Sequence, residues 1–244
     1  MRLVSVFGVA ALCVAVPVRA QLPEKLENIQ VLAKDITPRQ LTQRMREFSF
    51  ALGVRCQHCH VGGNGISFDG VVFPSDDKPA KVKARAMLRM VNSINDMLTA
   101  LPSRASPRVS VDCATCHRGL PVPKTLQTTL FDLTIDQGAP AAVERYRELR
   151  RTEMGTGRYN FGEWEINELG RRLVEADKPD AAIAIYEMNA EFHPGSSSID
   201  VALAELYLRG GARDKALARL RAAVGKDPKN PMLRRRLEEL ESKP

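Results

Sequence analysis

The sequence predicts a mainly α-helical protein in two parts, and three observations carry that expectation. A Cys-x-x-Cys-His pattern occurs twice, at Cys56-Gln57-His58-Cys59-His60 and at Cys113-Ala114-Thr115-Cys116-His117. Each copy follows a stretch with apolar residues at helical spacing, and each stretch carries methionine. Toward the C-terminus the chain repeats itself at an offset of 34 residues.

The first twenty residues read as a secretory signal. Arg2 supplies a positive start, residues 4–16 form an apolar run, and Val18-Arg19-Ala20 places small residues at the cleavage positions, so the mature chain is expected to begin at Gln21. The run is too short and too poorly flanked for a membrane span, and an uncleaved anchor giving membrane association is the alternative. Leu12 before Cys13 does not suit a lipoprotein site. The formal charge of +7 falls to +5 without Arg2 and Arg19. Lys and Arg are dispersed apart from Arg234-Arg235-Arg236, which describes a solvated, mildly basic surface and no nucleic-acid groove.

A first domain is expected over residues 21–124. Thr37 is a suitable N-cap, Pro38 suits the first turn, and Gln40 completes a capping-box pattern. Leu41, Met45, Phe48 and Leu52 then share a face, and Gly53 ends the helix just before Cys56. The stretch 66–73, with Asp69-Gly70 between apolar runs, suits a small hairpin or loop. A second helix is predicted over 79–101, with Asp76 or Asp77 as cap and Pro79 at its start. Its apolar face includes Val82, Met87, Met90, Ile94 and Met97. A loop with Pro102 and Pro107 leads to Cys113, and Pro121 and Pro123 close the domain.

The two short motifs carry the chemistry. On one helical turn the cysteines fall at i and i+3 and the histidine at i+4, so thiols and imidazole share a face. That face suits a haem, whose two vinyl groups take the thiols and whose iron takes the imidazole. Three other chemistries use such cysteines. A zinc site built from two knuckles is expected at closer spacing and without a histidine beside each. A dithiol redox site needs one pair only. Disulfides within the motifs leave both histidines unexplained. Four of the five cysteines are used by the two motifs and the fifth is Cys13, so covalent haem at two sites is the reading adopted. His60 and His117 are the proximal iron ligands and Cys56, Cys59, Cys113 and Cys116 the attachment points. Thioether attachment of haem is extracytoplasmic in bacteria, which agrees with a signal segment. Met45 is a candidate sixth ligand, with core packing as its other role. For the second iron Met90 is preferred, with Met87 next. So small a unit has little core of its own, and a bound macrocycle would supply an apolar centre. His58 is expected to face solvent, and Arg118 either to meet a haem propionate or to lie on the surface.

After residue 124 the composition turns helical, and a second domain is expected over 125–244. A helix is predicted over 140–151, broken by Gly155 and Gly157. Leu169-Gly170 then corresponds to Leu203-Ala204, Leu173 to Tyr207, Ala182 to Ala216, Tyr186 to Leu220 and Pro194 to Pro228, always 34 residues apart. The period, the small residues and the terminal proline resemble tetratricopeptide repeats. Helix pairs are expected over about 164–194 and 198–228, with a capping helix over 232–240 whose Arg234, Arg235, Arg236 and Glu238 face water. Trp164 is expected to pack at the start and His193 to serve at the surface. Such stacks form concave surfaces that dock proteins.

The first domain resembles the cytochrome subunit of photosynthetic reaction centres. The resemblance rests on Asn28-Ile29-Gln30-Val31-Leu32, Ser75-Asp76-Asp77-Lys78-Pro79, Ala84-Arg85-Ala86-Met87-Leu88-Arg89-Met90 and Cys113-Ala114-Thr115-Cys116-His117-Arg118-Gly119, and covers roughly residues 25–124. It implies His60 and His117 as proximal ligands and Met45 and Met90 as distal ones. That subunit typically carries four haems, and two attachment sites here imply a two-haem relative. The expectation is a periplasmic di-haem c-type cytochrome that carries electrons and is not an enzyme. Its partners would be protein redox partners, either a membrane-bound reaction centre or a respiratory complex, docked through the repeats. A di-haem peroxidase-like enzyme or a haem-based sensor is the alternative. Peroxidase chemistry needs an open iron position with nearby acid–base groups.

Overall fold

Helix α1 (Pro38–Leu52) starts where the sequence sets its cap. In this computed structural model, which describes residues 25–63, 68–101 and 109–242, the Gln40 N–H donates to Thr37 Oγ1 at 3.3 Å and the Thr37 N–H donates to Gln40 Oε1 at 2.9 Å. Two otherwise orphaned donors are thereby satisfied. Gly53 closes the helix in the left-handed region at φ 66°. The expected signal segment, Cys13, Gln21, Ile66, Pro102 and Pro107 lie outside the described residues.

Helix α2 (Pro79–Thr99) is capped differently from the expectation. Lys78 holds the N-cap position and no side chain caps the helix. Asp76 is occupied elsewhere: it pairs with Arg85 at 2.7 Å and Lys81 at 3.1 Å and accepts from Asn28 Nδ2 at 3.0 Å. Lys81 and Arg85 are four residues apart and share one face, so together they hold the carboxylate with charge-assisted bonds that are stronger than a cap. Helix α3 (Cys113–His117) is the second Cys-x-x-Cys-His motif itself.

The chain divides into two compact units after Cys113. Their cores differ sharply. Among the described residues up to Cys113, Ala51 is the one buried apolar side chain. α2 buries none over 21 residues, and α1 and α2 make no extensive contact with each other.

The second unit holds a continuous core. It contains α4 (Leu126–Gln137), α5 (Ala139–Glu153), α6 (Glu163–Glu175), α7 (Pro179–Phe192), α8 (Ser197–Arg209), α9 (Arg213–Lys226) and α10 (Pro231–Ser242). Helices α4/α5, α6/α7 and α8/α9 pack as successive pairs, and α10 closes against α9. The sequence reading begins its helices near residue 140 and passes over α4. Thr125, whose side chain accepts from the Thr128 N–H, and the buried pair Leu126 and Leu130 at i and i+4 are the signals for it.

The positions 34 residues apart are the packing positions. Leu169, Leu173, Ala182 and Tyr186 are buried, as are Leu203, Tyr207, Ala216 and Leu220. Gly170 lets α6 and α7 approach: a Cβ there would lie 2.4 Å from the Tyr186 ring. One repeat on, Ala204 and Leu220 occupy the two equivalent positions. Asp200, 1% exposed, ties α8 to α9 by accepting from Arg219 at 3.2 Å and from Lys226. Arg234, Arg235, Arg236 and Glu238 are exposed on α10. Trp164 does not pack at the start: it is 72% exposed. Ile166, Leu169 and Leu173 face inward from α6, and a residue two places before Ile166 points to the far side of the helix. Among the described residues no helix is long and apolar enough to cross a membrane.

Candidate haem attachment sites

The first motif forms one tight turn, because Gly53 reverses α1 three residues before it. Residues Cys56–His58 are a 3-10 turn. The N–H groups of Cys59 and His60 both donate to the Cys56 carbonyl, at 3.1 and 2.9 Å. Cys56 and Cys59 are half-buried free thiols. Burial pushes the Cys59 thiol pKa up, with the neighbouring Cys56 acting in the same sense.

His60 is held from the side of the following loop. The Phe73 ring packs edge-on against the imidazole with centroids 5.1 Å apart, and Phe68 packs on Phe73. Of the expected hairpin, the described part is a turn closed by Val71 N–H to Phe68 O at 3.1 Å and an antiparallel bridge between Val61 and Val72. Burial pushes the His60 pKa down, and the charges of Lys81 and Arg85 add to this, with the Phe73 backbone acting against it. The neutral imidazole so favoured is the form that ligates metal. His60 Nδ1 is buried without a hydrogen-bond partner.

A cationic belt runs around this turn. Lys78 Nζ donates to the carbonyl of Gln57, between the two cysteines, at 2.9 Å. Lys81 Nζ donates to the carbonyls of Phe73 and Ser75, both at 2.7 Å. Arg85 donates to the Asn28 carbonyl at 3.1 Å. Arg85, then Asn28, hold the Asp76 carboxyl well below the usual carboxylate range. Sequence reasoning quotes Asn28, Asp76, Lys78 and Arg85 for the resemblance, offers Asp76 only as a helix cap, and passes over Lys81. The pairing of Asp76 with helix positions 81 and 85 is legible only once α2 is built.

The second motif is a complete helical turn. Arg118 and Gly119 follow in the left-handed region, at φ 49° and 83°, and the Leu120 N–H returns to the His117 carbonyl at 2.8 Å. That reversal brings the Leu120 carbonyl within 2.8 Å of His117 Nδ1. A carbonyl can only accept, so Nδ1 carries the proton and Nε2 is left for a metal. Gly119 is required twice, by its φ and because a Cβ would meet Arg158 Nε at 2.8 Å. Asn95 fastens the approach to the motif: its amide donates to the Val111 carbonyl at 2.9 Å and accepts from the Val111 N–H at 2.8 Å. Sequence reasoning missed Asn95, whose signal is a polar residue beside Ile94 on an otherwise apolar face. Cys113 is half-buried and Cys116 exposed, and neither is in a disulfide.

The methionines sit on the helices preceding the motifs. Met45 is half-buried on α1. Met87 and Met90, one turn apart on α2, are each 47% exposed, and Met97 is 63% exposed. His58 and Arg118 are exposed. His193 sits half-buried at the C-cap of α7, with Nε2 buried and unpartnered.

These residues fit a haem. Neither thiol pair is closed into a disulfide, and each histidine is the neutral or Nε2-presenting form. An amphipathic helix carrying methionine stands ahead of each motif, half-buried at Met45 on α1 and uncovered at Met87 and Met90 on α2, and the described residues up to Cys113 make almost no core of their own. Among the described residues no group of three or more His, Cys, Asp or Glu is arranged to hold a metal ion. A macrocycle brings four ligand nitrogens itself and asks two of the protein.

Turns presenting two thiols and an imidazole, followed by helix pairs at a 34-residue period, define a cytochrome-like helical unit with tetratricopeptide-like repeats. Residues 16–148 match the family model of the photosynthetic reaction centre cytochrome C subunit, and residues 173–237 match that of the tetratricopeptide repeat. The first match covers more than half of the chain, and the protein belongs to that family. It runs past Pro123 through α4 and most of α5. The chain is 38% identical over 95 residues to cytochrome c-554 of Chloroflexus aurantiacus. It is 35% identical over 103 residues to the photosynthetic reaction center cytochrome c subunit of Thermochromatium tepidum, and 32% over 120 residues to that of Roseobacter denitrificans. These alignments take in 38%, 41% and 48% of this chain but only 20%, 22% and 30% of the relatives.

Proposed function

We propose that the protein is an exported di-haem c-type cytochrome that carries electrons between protein partners. In this reading residues 1–20 direct export to the periplasm, residues 21–124 hold both haems, and residues 125–244 dock a partner through the repeat surface. Cys56 and Cys59 bind one haem covalently and Cys113 and Cys116 the other. His60 and His117 are the proximal iron ligands. Met45 and Met90 are the distal ones, Met90 being preferred to Met87 for its central place on α2. The bound groups would supply one-electron chemistry with no substrate bond broken. The chain would hold them through these cysteines, histidines and methionines and cover their apolar faces. A protein redox partner follows from the names of the relatives, and a membrane-bound reaction centre or a respiratory complex would each serve.

One observation carries this reading: among the described residues up to Cys113, the methionine-bearing face of α2 is uncovered and Ala51 is the one buried apolar side chain. A flat apolar group fixed at the motifs would cover that face. The test is the mass and visible spectrum of mature protein from a host that attaches haem. Two haem additions with histidine–methionine spectra are expected, and Cys116→Ser should lose one thioether. A colourless protein with the mass of its amino acids alone refutes the proposal.

A further inference from the structure

The two motifs are chemically alike, but their surroundings are not. Three cations stand at the first: Lys78 on the Gln57 carbonyl, Lys81 on the carbonyl of the Phe73 that packs on His60, and Arg85 beside it. Asp76 pairs with Lys81 and Arg85, whose side chains are just 13% and 11% exposed. Arg55 directly precedes Cys56, where Asp112 precedes Cys113. At the second motif, the cation at Gly119 is Arg158, and Glu153 neutralises it at 3.0 Å. Arg118 there is exposed.

The proximal histidines differ in the same sense. His117 Nδ1 donates to the Leu120 carbonyl, whereas His60 Nδ1 has no acceptor. An acceptor on Nδ1 makes the imidazole a stronger electron donor to iron and favours the oxidised metal. Partly desolvated positive charge favours the reduced metal, because reduction removes one positive charge from the site.

The geometry points to two unequal haems, with Lys78, Lys81 and Arg85 holding the first at the more positive potential and the Leu120 carbonyl holding the second lower. This rests on the di-haem reading proposed above. An electron added to the protein therefore settles at the His60 site, and Lys78, Lys81 and Arg85 are positioning residues for it. A unit charge within about 10 Å in a partly desolvated setting changes a one-electron equilibrium on the order of tenfold.

The test is a mediator-buffered redox titration of the full-length holoprotein, followed optically, with haem counted by mass on the same samples. The wild type should titrate in two waves. Lys81→Gln should lower the ferrous-to-ferric ratio of the upper wave about tenfold at fixed ambient potential, a shift of about 59 mV, and leave the lower wave in place. Lys81→Arg should keep the wild-type value, and Lys83→Gln, at an exposed position of the same helix, should move neither wave. Because Lys81 also fastens the loop, Lys78→Gln, which removes a single bond, should lower the same wave. Movement of the lower wave, no movement of either, or one shared potential would overturn the inference while two haems by mass leave the di-haem reading standing. Fewer than two haems by mass would overturn that reading instead.

Discussion

Removing the four cysteines proposed to attach haem should unfold one unit and spare the other. The perturbation is replacement of Cys56, Cys59, Cys113 and Cys116 by alanine in the full chain. In the first unit, Val82, Met87, Met90 and Met97 are 50%, 47%, 47% and 63% exposed on α2. Covering about 300 Å² of such apolar surface contributes about 7 kcal/mol at ~25 cal/mol per Å². That is comparable to the whole stability of a small domain, and this unit has almost no buried side chains to set against its loss. Helices in proteins draw most of their stability from packing of an amphipathic face, and α1 and α2, of 15 and 21 residues, have little of the chain to pack on. The helices α4 to α10, of 12, 15, 13, 14, 13, 14 and 12 residues, keep their own core, so roughly a quarter of the helical signal is at stake. Far-UV circular dichroism should show that loss at 25 °C, and the remaining signal should still melt cooperatively. A four-alanine variant with the full helical signal of the holoprotein would refute the reasoning, because α1 and α2 would then be stable without a covering group.

Two further outcomes follow from the packing and the charges. Gly170→Ala should destabilise the second unit by about 1–3 kcal/mol in urea, since its methyl would stand 2.4 Å from the Tyr186 ring; adding Tyr186→Leu should restore most of the loss by copying the Ala204 and Leu220 pair one repeat on, and additive losses would sink that account. Asp76, held low by Arg85, Asn28 and Lys81, has a folded pKa below its unfolded one, so its stabilising effect is present above the ordinary carboxylate range and is lost as pH falls through the depressed value. Asp76→Asn should therefore be less stable than wild type at pH 7 and equal to it in strong acid, and a gap in melting temperature that stays constant with pH would count against the clamp.

Much of this protein can be read without coordinates. The capping box at Thr37 and Gln40, the stop at Gly53 and the 34-residue register of Leu169 with Leu203 are local or periodic, and local chemistry alone dictates them. The cysteine and histidine spacing belongs to the same class, since one helical turn decides which side chains share a face. Helix α4 was legible as well, through Thr125, Leu126 and Leu130, but prolines on either side obscure its short pattern. What only the tertiary structure decided lies between segments far apart in the chain. Asp76 could have capped α2; the approach of Asn28, 48 residues away, and the stacking of Lys81 with Arg85 turn it into a clamp instead. Asn95 grips Val111 across 16 residues. The left-handed turn at Arg118 and Gly119 gives His117 Nδ1 an acceptor that His60 Nδ1 lacks. Two motifs of the same spacing thus lie in unequal surroundings, because charge and hydrogen bonding act through space while spacing acts only along the chain.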